Sequence, residues 1–473
     1  MTRLVLAVVA LTSTALLAQA PNRQPDWAKM DEETMRHFQA ILRLDSADPP
    51  GNEKPVVDYL EQVLEAEGIA VQVLAMPDRP NRPNLVARIK GSGKQRPLLV
   101  MGHTDTVNVD PKKWTFPPFA ATRDAGYVYG RGTVDDKDNV IANLMTMLML
   151  KRLNVALDRD VIFLAEAGEE GASTLGVQFM ANQHFPLIDA EYCFAEGGTV
   201  ARSNGAVKFA SVQTIEKIPR AITVTARGIA GHGSVPLETN AVAHLGEAVG
   251  AIAAWTPPQR INETTAAYFK RLATVSTPEE AARYRDVLSP DPKISGPADA
   301  YLRKNEPRHW SMLRTSLSPT IIQGGYRTNV IPSEATATID TRLAPDEDPA
   351  TFLELVKQVV NDPSVEVSYG ARDSRPATPT AKLDSDAFKV LEAMIMKHYK
   401  TITLPTMSTG ATDMAFLRRK GIQCYGIGPA LDLEDGPKGY GAHSDQERIL
   451  ESELLRFVRF NWDAVVEVAR ARQ

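Results

Sequence analysis

Short continuous apolar runs that stop at a polar side chain recur through the first part of this chain. The runs at 98–101, 161–165 and 192–195 have the length and makeup of buried strands, and beyond their ends stand His103, Glu169 beside Glu170, and Glu196. Residues 71–74 and 85–89 read as further strands, and 32–44, 56–67 and 139–153 carry helical spacing, the last rich in Leu and Met. Strands and helices in alternation predict an α/β domain. Near Pro219 the pattern changes. Residues 221–226 alternate like a half-exposed strand, Asn240 stands where it can cap a helix over 241–254, and 319–324 and 335–340 read as strands again. That succession predicts a small α+β sandwich inserted into the first domain. Between its parts, 256–318 is rich in Pro and charge with helical pieces and reads as a surface excursion. From about 346 the α/β pattern resumes, with helices over 350–361, 384–398 and 451–469. The predicted organisation is a catalytic part over 21–217, an inserted lid over 218–345, and a second catalytic part over 346–473.

The first 20 residues differ in kind. Arg3 precedes an apolar stretch over 4–17 that ends in Ala18-Gln19-Ala20, the small-x-small pattern of a signal-peptidase site. This predicts a signal peptide over 1–20 and a secreted or periplasmic mature chain, although Pro21 is an unfavourable neighbour for the cut. The stretch is shorter than the ~20 residues a membrane span needs, and no later segment is long and apolar enough to cross a bilayer.

At 473 residues the chain exceeds one ordinary core, which fits two domains. A net charge of −5 without a dense Lys/Arg run argues against nucleic-acid binding. Cys193 and Cys424 lie in apolar runs and are expected as buried free thiols, since neither has the spacing of a Cys metal site.

In open α/β sheets, ligands bind beyond the carboxyl ends of the strands. There the chain offers His103, Asp135, Glu170 and Glu196, with His443 arriving from the returning part. This mixed N/O set suits zinc or a similar divalent ion and has enough donors for two. A two-ion site needs a carboxylate at its centre, because each of its oxygens can serve one ion. Asp135 or Asp136 can fill that place, in Gly130-Arg131-Gly132-Thr133-Val134-Asp135-Asp136-Lys137; a capped helix start is the plainer reading. Of the adjacent pair Glu169-Glu170, one can bind metal while the other accepts a proton from a water made acidic by the ion. Asp105, two residues past His103, is placed to hold the second N–H of that imidazole.

The assembled order resembles one family. His103-Thr104-Asp105, the Gly130 to Lys137 turn, Glu169-Glu170-Gly171, Glu196-Gly197-Gly198, Gly231-His232-Gly233-Ser234, Asn329-Val330-Ile331-Pro332, Asp340-Thr341-Arg342, Gly410-Ala411-Thr412-Asp413 and His443 follow one another as in the co-catalytic zinc peptidases of the carboxypeptidase G type. That family also holds aminoacylases, acetylornithine deacetylase, succinyl-diaminopimelate desuccinylase, peptidase T and the carnosinases. The stretch Asp135-Asp136-Lys137-Asp138-Asn139 and the long lid are most similar to its larger, Gly-X carboxypeptidase-like members. The resemblance implies a catalytic domain with a central mixed sheet flanked by helices, and an inserted lid that serves dimerisation.

It also implies roles. His103 and Glu196 would bind one zinc, Glu170 and His443 the other, and Asp135 would bridge them. Glu169 would be the general base, Asp105 would orient His103, and Asp136 would stand beside the metals without binding. In dimeric relatives the counterpart of His232 crosses to the partner's site and stabilises the oxyanion. Arg342 would clasp a substrate carboxylate, with Asn329 and Gly410 nearby. Zinc is the family's metal, and cobalt or manganese fits the same donors. This chain departs from the family pattern at Asp138-Asn139, at Gly168 and at Gln446-Glu447.

The function expected is therefore hydrolysis of an amide bond next to a free carboxylate, in a small peptide or an N-acyl amino acid. Dipeptidase action is the nearest alternative. A metal-binding scaffold that only dimerises is the alternative from another class, and the intact Glu169 argues against it.

Overall fold

The computed structural model describes residues 24–171, 173–370 and 375–471, so the expected signal segment lies outside the described residues. Its largest element is a ten-stranded sheet. The three apolar runs lie side by side at its centre: Leu98–His103 runs parallel to Val161–Glu166 on one flank and to Tyr192–Ala195 on the other. All three are buried throughout, which is why they read as unbroken apolar stretches and do not alternate. Parallel pairing brings their carboxyl ends to one edge, with His103 in register with Glu166.

Outward from the Val161 strand, Asn84–Ile89 and Val71–Leu74 add antiparallel. On the other side Gln423–Gly426 joins parallel to Tyr192–Ala195, and Ala206–Glu216 follows antiparallel. The sheet is thus mixed. Helix Lys137–Leu153 is buried from Lys137 to Leu150 and packs in one core with the sheet and with helix Glu451–Ala469. Most side chains from Val140 to Leu150 are apolar, as an enclosed helix requires, and the buried Asn143 donates to the Met101 carbonyl at 3.1 Å. On the opposite face, Val177, Met180, Met414 and Leu417 close a second core.

The lid is a five-stranded antiparallel layer under two helices, its shortest strand being Ile218–Pro219 beside Glu334–Leu343. Ile222–Arg227 lies between Glu334–Leu343 and Val365–Tyr369, and Ser316–Gly324 forms the outer edge. Ala335, Ala337, Ile339 and Leu343 alternate with more exposed residues and pack with Ile222 and Val224 beneath Ala241–Ala254 and Pro349–Val360. The Asn240 side chain accepts the Val242 N–H and starts the first of these helices.

Two regions differ from the sequence expectation. Phe352, Val356, Val365 and Val367 belong to the lid's core, so the lid runs to Tyr369 and not to 345. Helix Pro349–Val360 has the same amphipathic pattern in either domain, and only the pairing of Val365–Tyr369 with Ile222–Arg227 assigns it. The stretch 256–318 is also more than a surface excursion. Its helices Glu263–Leu272, Pro278–Asp286, Pro292–Asn305 and Pro307–Met312 gather Phe269, Tyr284, Leu302 and Leu313 into a core with Ile215, Leu404 and Met407 of the catalytic sheet. The Pro and acidic residues there are helix starts, as in the Thr277 to Glu280 capping box.

Candidate metal centre

His103 ends its strand almost fully buried, with Nδ1 3.1 Å from the Asp105 carbonyl oxygen and Nε2 3.0 Å from Asp135 Oδ1. A proton on Nδ1 given to that carbonyl leaves the Nε2 lone pair facing the carboxylate. His443, from the far end of the chain, brings Nε2 to 3.0 Å from Asp135 Oδ2 and 2.9 Å from Glu170 Oε1. Asp135 therefore turns one oxygen toward each imidazole, the disposition of a bridging ligand. Asp136 does not compete for that place. Its Oδ2 accepts the His103 backbone N–H at 3.1 Å and its Oδ1 accepts the Asn139 amide at 2.6 Å. The peptide between the two aspartates is cis.

Donor atoms of His103, Asp135 and Glu170 lie within 4.8 Å of one another, and so do those of His103, Glu169 and Glu196. Burial pushes the Glu169 carboxyl up to about 8, with Asp413 adding to the effect, and raises Glu196 well above the usual carboxylate range. The hydrogen bond to Asp135, then that to Glu170, raises His443 to about 10. Carboxylates this crowded, facing two imidazole nitrogens, are the donor set of a divalent cation. The residues fit two ions.

Asp105 does more than expected. Its carboxylate lies 3.4 Å from His103 Nδ1, but its two oxygens accept the backbone N–H groups of Glu169 at 3.2 Å and Glu170 at 3.1 Å. It thus fixes the loop that carries both glutamates.

Two residues at the site were not anticipated. Glu447 is fully buried and accepts from Arg131 Nη1 at 2.6 Å, from the Gly132 N–H at 3.1 Å and from the Val134 N–H at 2.9 Å. It joins the turn bearing Asp135 to the segment bearing His443. The available signal was an acidic residue four positions after a predicted ligand. Arg375 reaches Glu169 Oε1 with Nη2 at 3.2 Å and Asp413 Oδ1 with Nη1 at 3.3 Å. Nothing in its polar, Pro-rich surroundings marked it.

The lid residues stand elsewhere. His232 pairs in register with Val330, and the Gly233 N–H donates to the Asn329 carbonyl at 2.9 Å, so His232 and Asn329 share one exposed corner. His232 Nδ1 accepts the Ser234 N–H at 3.1 Å. Arg342 is held by Asp340 at 2.8 Å on a lid strand. Among the described residues no hydrogen bond or ion pair joins His232, Asn329 or Arg342 to the metal ligands. The Gly410 N–H donates to Ser408 Oγ at 3.1 Å on the loop that leads to Asp413. Cys193 and Cys424 are buried free thiols on neighbouring strands.

Residues 99–465 match the model of Peptidase family M20/M25/M40. The chain belongs to this family. It is a hydrolase of the metallopeptidase and amidohydrolase kind. A Dictyostelium discoideum protein named "Probable carboxypeptidase S-like 2" is 29% identical over 70% of this chain, and the match spans 64% of that protein, slightly under two thirds of its length. The human "N-fatty-acyl-amino acid synthase/hydrolase PM20D1" is 27% identical over 75% of this chain and 71% of its own length. Among solved structures, an M20 family metallo-carboxypeptidase from Sulfolobus solfataricus superposes with a TM-score of 0.67 at 18% identity, covering 92% of this chain and 98% of that one. At that identity the likeness is one of fold.

Proposed function

We propose that this chain is a di-zinc hydrolase that cleaves an amide or peptide bond adjacent to a free carboxylate, as a metallocarboxypeptidase or an N-acyl-amino-acid amidohydrolase. The observation that carries the reading is Asp135, whose two oxygens face His103 and His443. Zinc, when bound, supplies a Lewis acid for the carbonyl and lowers the pKa of a water toward ~7, and cobalt or manganese fits the same donors. Glu169 accepts the water's proton and passes it to the departing amine. Asp105 holds Glu169 and its neighbour in place through their backbone. The name of the human relative favours N-acylated amino acids within this class.

The lid completes the site in this reading. Arg342 clasps the substrate carboxylate, with Asn329 and Gly410 alongside. His232, exposed and joined among the described residues by no hydrogen bond or ion pair to its own chain's cluster, reaches the site of a partner subunit and stabilises the oxyanion. A homodimer through the lid is favoured by the outer strand Ser316–Gly324 with Ile321 and Ile322 exposed, near exposed Tyr326. The terminal segment, read as a signal peptide, favours a mature protein that is secreted or periplasmic.

The test is a hydrolysis screen of N-acylated amino acids and dipeptides with metal analysis of the same sample. Two zinc ions per chain and cleavage that vanishes in Glu169→Ala are expected. Full activity in Glu169→Ala would refute the mechanism, and a single ion per chain would refute the bridging role of Asp135.

A further inference from the structure

The chain leaves the lid at Tyr369 and re-enters the catalytic domain before helix Asp386–Tyr399. Arg375 lies on that return, its side chain 12% exposed. One guanidinium nitrogen stands 3.2 Å from Glu169 Oε1 and another 3.3 Å from Asp413 Oδ1, with the group 5.8 Å from the Phe416 ring centroid. Asp413, 2% exposed, closes the Gly410 to Asp413 loop. A single cation therefore joins the loop after Val161–Glu166, the loop after Thr403–Ser408 and the return from the lid. No ligand or substrate role assigned above uses it.

We propose that Arg375 is a positioning residue for Glu169, holding Oε1 so that Oε2 is presented to the water. This rests on the reading of Glu169 as the base. The backbone of Glu169 is already tied to Asp105 at 3.2 Å, but that bond leaves the torsions of its side chain free. The guanidinium supplies the missing constraint through its hydrogen bond to Oε1, and the Asp413 carboxylate holds the guanidinium in turn by charge, as an ion pair at 3.3 Å without a hydrogen bond. A planar fork can meet two carboxylates at fixed angles, which the point charge of a lysine cannot. The opposite effect of the same contact is that an ion pair makes a carboxylate a weaker proton acceptor. Position outweighs this, because a misplacement of about 1 Å in a catalytic group can cost ~100-fold in rate.

Arg375→Ala and Arg375→Lys are compared with wild type in metal content, thermal midpoint, kcat and KM. The expected result for both is two ions per chain and a kcat reduced about 10-fold to 100-fold with KM changed less than about 3-fold. Added guanidinium restores turnover in Arg375→Ala, and a crystal structure of that variant has the Glu169 carboxylate in more than one conformer. Either variant suffices if the other does not fold. Unchanged or faster turnover, or a loss explained by a lowered midpoint and lost metal with no rescue by guanidinium, would overturn the proposal. A wild type inert toward the whole substrate panel would sink the functional reading and the positioning role together; an active wild type with unimpaired variants sinks the positioning role alone.

Discussion

Glu447→Gln keeps the shape of a fully buried side chain and removes its charge. The carboxylate accepts three hydrogen bonds, from Arg131 at 2.6 Å, Gly132 at 3.1 Å and Val134 at 2.9 Å, and Arg131 is itself 2% exposed. A glutamine retains one acceptor oxygen, so at least one of these donors is left facing an amide NH2. An unsatisfied buried donor costs roughly 1–3 kcal/mol, and removing the charge that pairs with a buried Arg costs roughly 3–5 kcal/mol. The lower ends of both ranges apply, because an amide oxygen in the place of Oε2 keeps the Arg131 and Gly132 hydrogen bonds and leaves only the Val134 N–H unpaired. A total of about 4 kcal/mol follows, on a protein whose whole stability is on the order of 5–15 kcal/mol. Burial raises the Glu447 carboxyl above its usual range, with the Arg131 charge opposing, so the carboxylate is itself held at a cost that offsets part of this.

The loss falls on the turn that presents Asp135. Metal affinity should therefore drop about 10-fold to 100-fold, as it does when partners that orient metal ligands are removed. Zinc affinity is read by competition with a chromogenic chelator, and stability by urea unfolding of the metal-free protein. An affinity and an unfolding midpoint both equal to wild type would refute the reasoning that Glu447 orders the turn.

Two further outcomes follow from the geometry. In the metal-free protein His443 has a raised pKa, so its proton stabilises the fold fully below ~6.5, and that contribution is lost as pH rises through about 10; zinc must displace this proton, so zinc affinity should rise with pH across that window. Calorimetry at neutral pH in two buffers of different ionisation enthalpy should reveal proton release, and equal heats in both would contradict it. His232→Ala should cut kcat about 100-fold or more while leaving zinc content unchanged, since among the described residues no hydrogen bond or ion pair joins His232 to the proposed ligands of its own chain; loss of zinc would mean that it binds metal.

How far the molecule can be read from its sequence depends on the range of the interactions involved. The strands Leu98–His103, Val161–Glu166 and Tyr192–Ala195 are legible because burial on both faces leaves mostly apolar side chains, and the candidate ligands stand out because they follow where those runs end. Asp135 and Asp136 are equivalent in sequence; only their opposite hydrogen bonding, one to two imidazoles and the other to a backbone N–H, separates bridge from support. The lid boundary is set by the pairing of Ala226 with Val365, a contact between positions more than a hundred apart that no local pattern encodes. Arg375 and Glu447 lie in polar stretches where a charge is ordinarily solvated, and their burial arises from segments that arrive from elsewhere. Phe269 and Leu272 were obscured by the helix-start residues around them.

The strand order of the large sheet bears on when this protein can become itself. Gln423–Gly426 sits between Tyr192–Ala195 and Ala206–Glu216, so a nascent chain that has made only its first four hundred residues has a vacant slot in the middle of its main sheet and exposes two open edges. His443, the last of the proposed ligands, is synthesised later still. The central sheet therefore cannot close until residues 423–426 have been made, and the cluster around Asp135 cannot assemble before residue 443.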